Sequence, residues 1–301
     1  MTVVWVPDAD AAAALADLAP DVRVEAARED LTRAGAVEVL MPPDWPLDRL
    51  RAAMAAMPRL RVVQSTWAGV EWILDAIPPG VTLCSANEVH SASVADWVVG
   101  AILAMERGLA AFRDAQREQR WAPADTPDMA GRTVLLLGHG AIGAAVEARL
   151  APFGMRFNRV ARRPRDGVEG LDAVPALLPE ADVVVIGLPL TPQTERLVDA
   201  AFLARMKPGA LLVNPGRGRH VVTDDLLEAL HAGRVRAALD VTDPEPLPDG
   251  HPLWSAPGVL VTPHVAGDTL GRHERASALL REQLLRLRAG EPLVNVVAEG
   301  Y

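Results

Sequence analysis

The sequence has one cysteine, Cys84, among 301 residues. A lone thiol excludes an intramolecular disulfide framework and any multi-cysteine metal site, and it fits a reducing cytoplasm. No H-x-x-x-H pair and no His/Cys cluster occurs, so no catalytic metal is expected. Apolar runs such as TVLLLG and ADVVVIGLPL fall far short of a bilayer span, so no membrane partner is expected. The N-terminal MTVVWVPDAD has no basic residues ahead of its apolar ones, and no secretory signal is read there. Positive charge is in deficit, with 30 Lys and Arg against 39 Asp and Glu and a net charge of −9. That balance argues against a general affinity for nucleic acid or anionic lipid. No period of 20–50 residues recurs, which sets repeat architectures aside.

Half of the residues are apolar, and the length suffices for two domains. In the first part VVWV, VRVEAA, VEVLM, LRVVQST and VTLCSA read as strands, with DADAAAALADLA and PLDRLRAAMAAM helical between them. Strands alternating with helices favour a parallel sheet in an α/β domain. A long helical pattern, SASVADWVVGAILAMERGLAAFRDAQREQR, follows without an internal proline. A second α/β run begins at Thr133, with TVLLLG, RFNRVA, DVVVIGL, ALLVNP, AALDV and VLVTP as strands. GDTLGRHERASALLREQLLRLRAG gives another long helix, and EPLVNVVAEGY closes the chain. The simplest layout is a discontinuous domain, residues 1–97 with 270–301, carrying an inserted domain over 98–269.

The stretch LLLGHGAIGAA supplies Gly138, Gly140 and Gly143 in a G-x-G-x-x-G arrangement between a strand and a helix. The first glycine permits the tight turn, the second lets backbone approach a pyrophosphate, and the third allows close helix–strand packing. Ala141 and Ile142 open the helix, whose N-terminal amides are offered to phosphates. A plain glycine turn is the other reading, and His139 within the loop reads as solvent-facing. An acidic residue about 20 positions on would bind the adenosine ribose hydroxyls. Here RVARRPR stands in that place, with no Asp or Glu before Asp166. A guanidinium binds a 2′-phosphate by paired, charge-assisted bonds where a carboxylate would repel it. The expectation is therefore NADP(H) in preference to NAD(H), with Arg162 the first clamp and Arg163 the second. A solvated basic turn is the alternative.

Three later segments, LLVNPGRGRHVV, AALDVTDPEPLPDGHPLW and VLVTPHVAGDT, each run from a strand into a turn. They place Arg217, Glu245 and His264 just past strand ends, the edge at which open α/β sheets bind ligands. Hydride transfer from a nicotinamide to a carbonyl carbon needs a proton at the carbonyl oxygen. An arginine can bind an acidic ligand bidentately and polarise a carbonyl. A histidine can deliver the proton, and a carboxylate on its other nitrogen would orient the ring and offset its charge. The bland alternatives are a surface salt bridge for Arg217, a solvated loop acid for Glu245 and a structural turn for His264.

Taken in order, these segments and the glycine loop resemble the D-isomer-specific 2-hydroxyacid dehydrogenase family, most specifically in ALDVTDPEPLP, HPLW and PGVLVTPHVAG. The resemblance implies a Rossmann dinucleotide-binding domain inserted in a discontinuous flavodoxin-like α/β substrate domain. It implies Arg217 as the substrate arginine, His264 as proton donor and acceptor, and Glu245 as its acid partner. It also implies coenzyme contacts from Leu188 and Pro189 in GLPLTPQT, from Thr194, from Asp240 beside the nicotinamide carboxamide, and from Gly267. A strand ending in a turn is the alternative for the Leu-Pro pair. In STWAGVEWI, Trp67, Ala68, Gly69 and Val70 match the loop whose amides receive the substrate carboxylate, and core packing is the alternative for Trp67. Two positions depart from the family's commoner pattern: Asp96-Trp97 where an acid and then histidine often stand, and NPGRG in place of Thr-Ala-Arg-Gly. The activity implied is reduction of a small 2-oxo acid of the glyoxylate or hydroxypyruvate kind to a D-2-hydroxy acid, in a cytoplasmic homodimer. Two alternatives stay open: a dinucleotide-sensing, corepressor-like binding protein, and a phosphite- or formate-type dehydrogenase. Formate enzymes of the family carry glutamine at the position of Glu245.

Overall fold

The computed structural model describes residues 1–297. Residues 298–301 of the expected closing segment lie outside the described ones. The strands are β1 (Thr2–Val6), β2 (Val22–Ala26), β3 (Val39–Leu40), β4 (Val62–Gln64), β5 (Thr82–Cys84) and β6 (Thr133–Leu137). They continue as β7 (Arg156–Val160), β8 (Val183–Ile186), β9 (Ala210–Asn214), β10 (Val235–Leu239) and β11 (Val259–Val261). The helices are α1 (Ala9–Ala13), α2 (Leu47–Ala55), α3 (Asn87–Glu106), α4 (Leu109–Arg117) and α5 (Ala141–Leu150). After them come α6 (Val174–Leu177), α7 (Ala200–Arg205), α8 (Thr223–His231) and α9 (Arg272–Ala289). The chain divides into two compact units, Met1–His90 with the residues from Thr269 onward, and Ser91–Asp268.

The first unit holds a five-stranded sheet in the order β2-β1-β3-β4-β5, every pair parallel. This is the flavodoxin-like order. Its strands are apolar on both faces because both are covered. Val4, Val6, Val39 and Val62 pack with Leu279, Leu280 and Leu284 of α9. Trp5, Leu40, Val63 and Leu83 pack on the other side with Leu50 and Met54 of α2. The unit's buried glutamines tie it together. Gln64 Nε2 donates to the carbonyls of Ser65 and Ser85, and Gln283 Nε2 donates to Gln64 Oε1 and to the Val294 carbonyl. Cys84 lies buried beside them, and burial pushes its thiol up to about 11.

The second unit holds six parallel strands in the order β11-β10-β9-β8-β6-β7. A dinucleotide-binding sheet has the order 3-2-1-4-5-6, and here the third position is reduced to one parallel bridge, Val160 to Glu169, at the outer edge of β7. Alternate residues again feed two cores. Leu135, Leu137, Val184, Ile186 and Leu212 face one, and Val134, Leu136, Val183, Val185, Leu211 and Val213 face the other.

Two expectations need correction. The helical pattern over residues 91–120 is not one helix, because Gly108 takes a left-handed φ of 64° and separates α3 from α4. Glycine at that position ends a helix without the steric cost a Cβ would bring. The division between units falls after His90, whereas the expected boundary stands after Trp97. The physical reason is that Val94, Ala95 and Val98 of α3 already pack in the core of the second unit with Val134 and Leu136.

Candidate active site

The carboxyl ends of β6 and β8 meet at the point where strand order reverses, the place open α/β sheets reserve for ligands. Gly138 (φ 104°) leaves β6, and a Cβ there would lie 2.4 Å from the Gly187 backbone beyond β8. A Cβ on Gly143 would lie 2.3 Å from the Gly138 carbonyl oxygen, so glycine lets α5 close on the turn. A Cβ on Gly140 would meet nothing within 4 Å. Gly140 is the N-cap of α5 and brings no side chain to its first amides. The Gly138–Gly143 turn, with Ala141 and Ile142 opening the helix, thus fits a pyrophosphate: two glycines are required by the protein's own backbone, and the third leaves the loop open on its outer side.

His139 does not face solvent as expected. Its Nε2 lies 2.8 Å from Glu147 Oε2 on α5, and Arg159 of β7 clasps the same carboxylate with two bonds. Burial opposes the Glu147 charge, but the Arg159 bond outweighs it and, with His139, holds the carboxyl below its ordinary range. Arg165 donates to the His139 carbonyl at 2.6 Å, drawing the ARRPR turn against the glycine loop. Arg162 and Arg163 lie exposed in that turn just beyond β7.

The chemically capable residues come from the ends of β9, β10 and β11. Arg217 follows β9, half-buried, with its NH1 2.9 Å from the Gly216 carbonyl. Gly218 cannot be replaced without moving backbone, since a Cβ would lie 1.8 Å from the Thr242 carbonyl oxygen beyond β10. Glu245 lies on the β10 loop and His264 just past β11. Their side chains meet at 2.5 Å, Nδ1 to Oε1. His264 itself has φ 54°, a left-handed conformation unusual for a side chain with a Cβ, and such positions cluster at functional sites.

Asp240 explains how that strain is held. It is 1 % exposed at the end of β10. Its Oδ1 accepts from the Val265 amide at 2.9 Å and the Thr262 hydroxyl at 2.6 Å, and its Oδ2 accepts from the Ala266 amide at 2.8 Å. The His264 amide donates to the Asp240 carbonyl at 2.7 Å. The whole turn carrying His264 and Gly267 is therefore strung on one carboxylate. Thr194 also serves a loop: its hydroxyl donates to the Pro189 carbonyl at 2.7 Å, next to buried Leu188. His251 caps the Pro252–Trp254 turn by accepting from the Leu253 amide at 3.2 Å.

In the first unit, the Trp67–Val70 loop follows β4. Trp67 is 36 % exposed, stacked at 5.3 Å on His90, whose Nε2 lies 2.7 Å from the Thr66 carbonyl. The Arg272 guanidinium lies 5.5 Å from the Trp67 ring centroid. The amide of Ala86 donates to the Trp67 carbonyl at 3.0 Å, while Val70 is buried. Asp96, outside this group, is bonded to Arg149 at 2.6 Å. The Asp240 bonds, the Arg159 arm of the His139 network and the His90–Trp67–Arg272 stack carry no sequence signal, since each joins residues far apart along the chain, whereas Thr194 holds its loop by local bonds to Pro189 and Thr191. Among the described residues no group of His, Cys, Asp and Glu could hold a metal ion, and no helix is long and apolar enough to cross a membrane.

Comparison with known proteins places this geometry. Residues 99–266 match the family of the D-isomer specific 2-hydroxyacid dehydrogenase NAD binding domain. The chain is 34% identical over 253 residues to a glyoxylate/hydroxypyruvate reductase A of Serratia proteamaculans, covering 79% of this chain and 80% of that one. It is similar in structure to a D-isomer specific 2-hydroxyacid dehydrogenase of Xanthobacter autotrophicus in complex with NADPH and MES. There the TM-score is 0.86 and the identity 33%, over 100% of this chain and 99% of that one. An NADPH-dependent glyoxylate/hydroxypyruvate reductase of Sinorhizobium meliloti in complex with NADP and sulfate also aligns. Its TM-score is 0.86 and its identity 28%, over the whole of both chains.

Proposed function

Because the chain belongs to the D-isomer specific 2-hydroxyacid dehydrogenase family and is an NAD(P)-dependent oxidoreductase, we propose that it reduces a small 2-oxo acid, glyoxylate or hydroxypyruvate in kind, to the D-2-hydroxy acid with NADPH. The observation that carries this reading is the His264–Glu245 contact of 2.5 Å at the end of β11, on the same sheet edge as the glycine turn and Arg217. The Serratia and Sinorhizobium relatives named for glyoxylate and hydroxypyruvate support the substrate class.

The chemistry that the coenzyme supplies when bound is the hydride; the chain must supply the rest. Gly138, Gly140, Ala141, Ile142 and Gly143 would hold the pyrophosphate, Arg162 and Arg163 the 2′-phosphate, and Leu188, Pro189 and Gly267 would serve the nicotinamide end. Arg217 binds the substrate carboxylate bidentately and draws electron density toward the carbonyl oxygen. With Nδ1 engaged by Glu245, His264 presents Nε2 to that oxygen and delivers its proton as negative charge develops. The ring ends neutral, with its remaining N–H on Nδ1 and still donating to Glu245. Asp240 fixes the His264 turn through three donors, and its carboxylate keeps acceptor capacity for the carboxamide expected beside it. Within the first unit, the amides of Trp67, Ala68, Gly69 and Val70 are the candidates to receive a carboxylate. The assembly is a homodimer, and the single buried thiol suits the cytoplasm.

The test is a steady-state panel of 2-oxo acids run with NADPH and with NADH, on the wild type and on Arg162→Ala. The wild type should favour NADPH with glyoxylate or hydroxypyruvate. Loss of a charge-assisted clamp costs about 1.5–3 kcal/mol, so Arg162→Ala should raise the NADPH KM by about ten- to a hundredfold and leave NADH nearly unchanged. Equal effects on both coenzymes would remove the clamp. No turnover with any oxo acid, tight NADPH binding intact, would instead make the chain a dinucleotide sensor.

A further inference from the structure

One buried histidine is unused by the reaction as derived above. His220 ends the short turn Gly218–His220 that follows Arg217, and it is 0 % exposed. Its Nδ1 lies 3.1 Å from the Arg217 carbonyl oxygen and its Nε2 lies 3.4 Å from the Pro189 carbonyl oxygen. One ring thus spans the loop after β9 and the loop after β8. Gly216 packs beside the ring: a Cβ there would lie in ordinary contact with His220 Cε1 at 3.6 Å, and its tight neighbour would be the Ile186 carbonyl oxygen at 3.1 Å.

We propose that His220 is a positioning residue, a polar strut that sets the separation between the Arg217 loop and the Pro189 loop. A buried imidazole is costly unless its nitrogens are bonded, and an aliphatic side chain would fill the same volume without that cost. The polar contacts in two directions are what the imidazole adds. They are not needed to hold the sheet together, because β8 and β9 are paired along Val183–Leu211, Val184–Leu212 and Val185–Val213. Each loop also keeps a tie of its own: Asn214 Nδ2 donates to the Arg217 carbonyl at 2.9 Å, and Thr194 Oγ1 donates to the Pro189 carbonyl at 2.7 Å. The two loops are also joined by Arg219, which donates to Glu195 at 3.1 Å, and by the Arg196 and Val198 amides on the Arg219 and His220 carbonyls; His220 is the side chain that reaches from the Arg217 carbonyl to the Pro189 carbonyl. A ring with one N–H holds one of the two carbonyls, and a ring with two holds both.

The consequence rests on the reading of Arg217 as the substrate-carboxylate residue and of Pro189 as coenzyme wall. If the strut is cut, the fold and the coenzyme cradle survive while the arginine drifts from the line between carboxylate and hydride donor. A displacement of about 1 Å at such a position can cost about a hundredfold in rate.

The experiment uses the full chain as His220→Leu, His220→Gln and Arg217→Met. It measures glyoxylate KM and kcat at saturating NADPH, NADPH Kd without oxo acid, and the urea midpoint. His220→Leu should lower kcat/KM for glyoxylate by about ten- to a hundredfold with NADPH Kd within about twofold of wild type. His220→Gln, which can still donate to one carbonyl, should recover most of that loss and leave a KM rise of about threefold. Wild-type kinetics in His220→Leu, a matching loss of NADPH affinity, or glutamine no better than leucine would each overturn the strut. If His220→Leu does not fold, His220→Gln decides alone: a raised glyoxylate KM at unchanged NADPH Kd supports the strut, and any other result overturns it. Arg217→Met separates the two layers. An unchanged glyoxylate KM there removes the reading of Arg217, and the strut's purpose with it. A strong loss there beside wild-type behaviour in His220→Leu removes the strut alone.

Discussion

His264 sits under three constraints: a left-handed backbone, a side-chain bond to Glu245, and a turn hung on Asp240. Removing the ring and removing the hook should therefore look different. His264→Ala takes away the proton donor and leaves the Asp240 bonds to Val265, Ala266 and Thr262 in place. Its kcat should fall by about a hundredfold or more with little change in the urea midpoint. Asp240→Asn keeps the ring but offers one accepting oxygen where two now accept, and turns an NH2 toward a backbone N–H. That buried mismatch costs about 1–3 kcal/mol, and turnover should fall with it because His264 loses its fixed place. Unchanged stability in Asp240→Asn would show that the turn holds itself. The sequence made His264, Glu245 and Arg217 legible because each follows a strand with a turn motif of its own. It left His139 as a solvent-facing residue, because the Arg159 that shares its Glu147 partner stands on another strand, and it did not record the bonds by which Asp240 and Thr194 hold their turns.

At the scale of elements, all the expected strands were legible. Parallel strands covered on both faces read as unbroken apolar runs. The long helix was over-read because apolar and charged residues continue in helical register through Gly108, and only the glycine's conformation ends α3 there. What anchors that end was invisible too. Glu106, fully buried at the last residue of α3, lies between Arg236 at 2.8 Å and Arg132 at 3.2 Å. Arg132 reaches on toward Asp182, which receives Lys207 at 2.6 Å and the Thr133 amide at 2.9 Å. Burial works against the Asp182 charge. Lys207, the Thr133 amide and Arg132 outweigh it, so the carboxyl is held below its ordinary range. A depressed carboxylate adds stability above its unfolded value, about pH 4, and loses it as pH falls through the lower folded value. Urea midpoints of the wild type and Asp182→Asn should differ by a constant amount from neutral pH to about pH 5 and converge below about pH 4. A gap that persists unchanged at low pH would mean that the amide fails for steric reasons and that the charge contributes little.

At the scale of the whole molecule, an acidic chain leaves apolar side chains on and just after α4 uncovered. Leu109 and Phe112 lie three positions apart on α4, and beyond them Trp121 is 97 % exposed in a stretch without helix or strand. Neighbours on a helix three positions apart share a face, so Leu109 and Phe112 form one exposed edge of α4. Arg113, Arg117 and Arg120 alternate around it with Asp114 and Glu118. A rim bearing both signs can meet a two-fold copy of itself with opposite charges facing, as a symmetric pair requires. Leu109, Phe112 and Trp121 are among the large apolar side chains left exposed in the described residues, and a second copy of the chain would cover them. The wild type should therefore sediment as a pair of chains across a dilution series. Phe112→Asp combined with Trp121→Asp should sediment as a single chain while its urea midpoint, measured at the lowest concentration, stays near that of the dissociated wild type. A wild type that sediments as one chain at every concentration, or a double variant that remains paired, would place the dimer elsewhere or dissolve it.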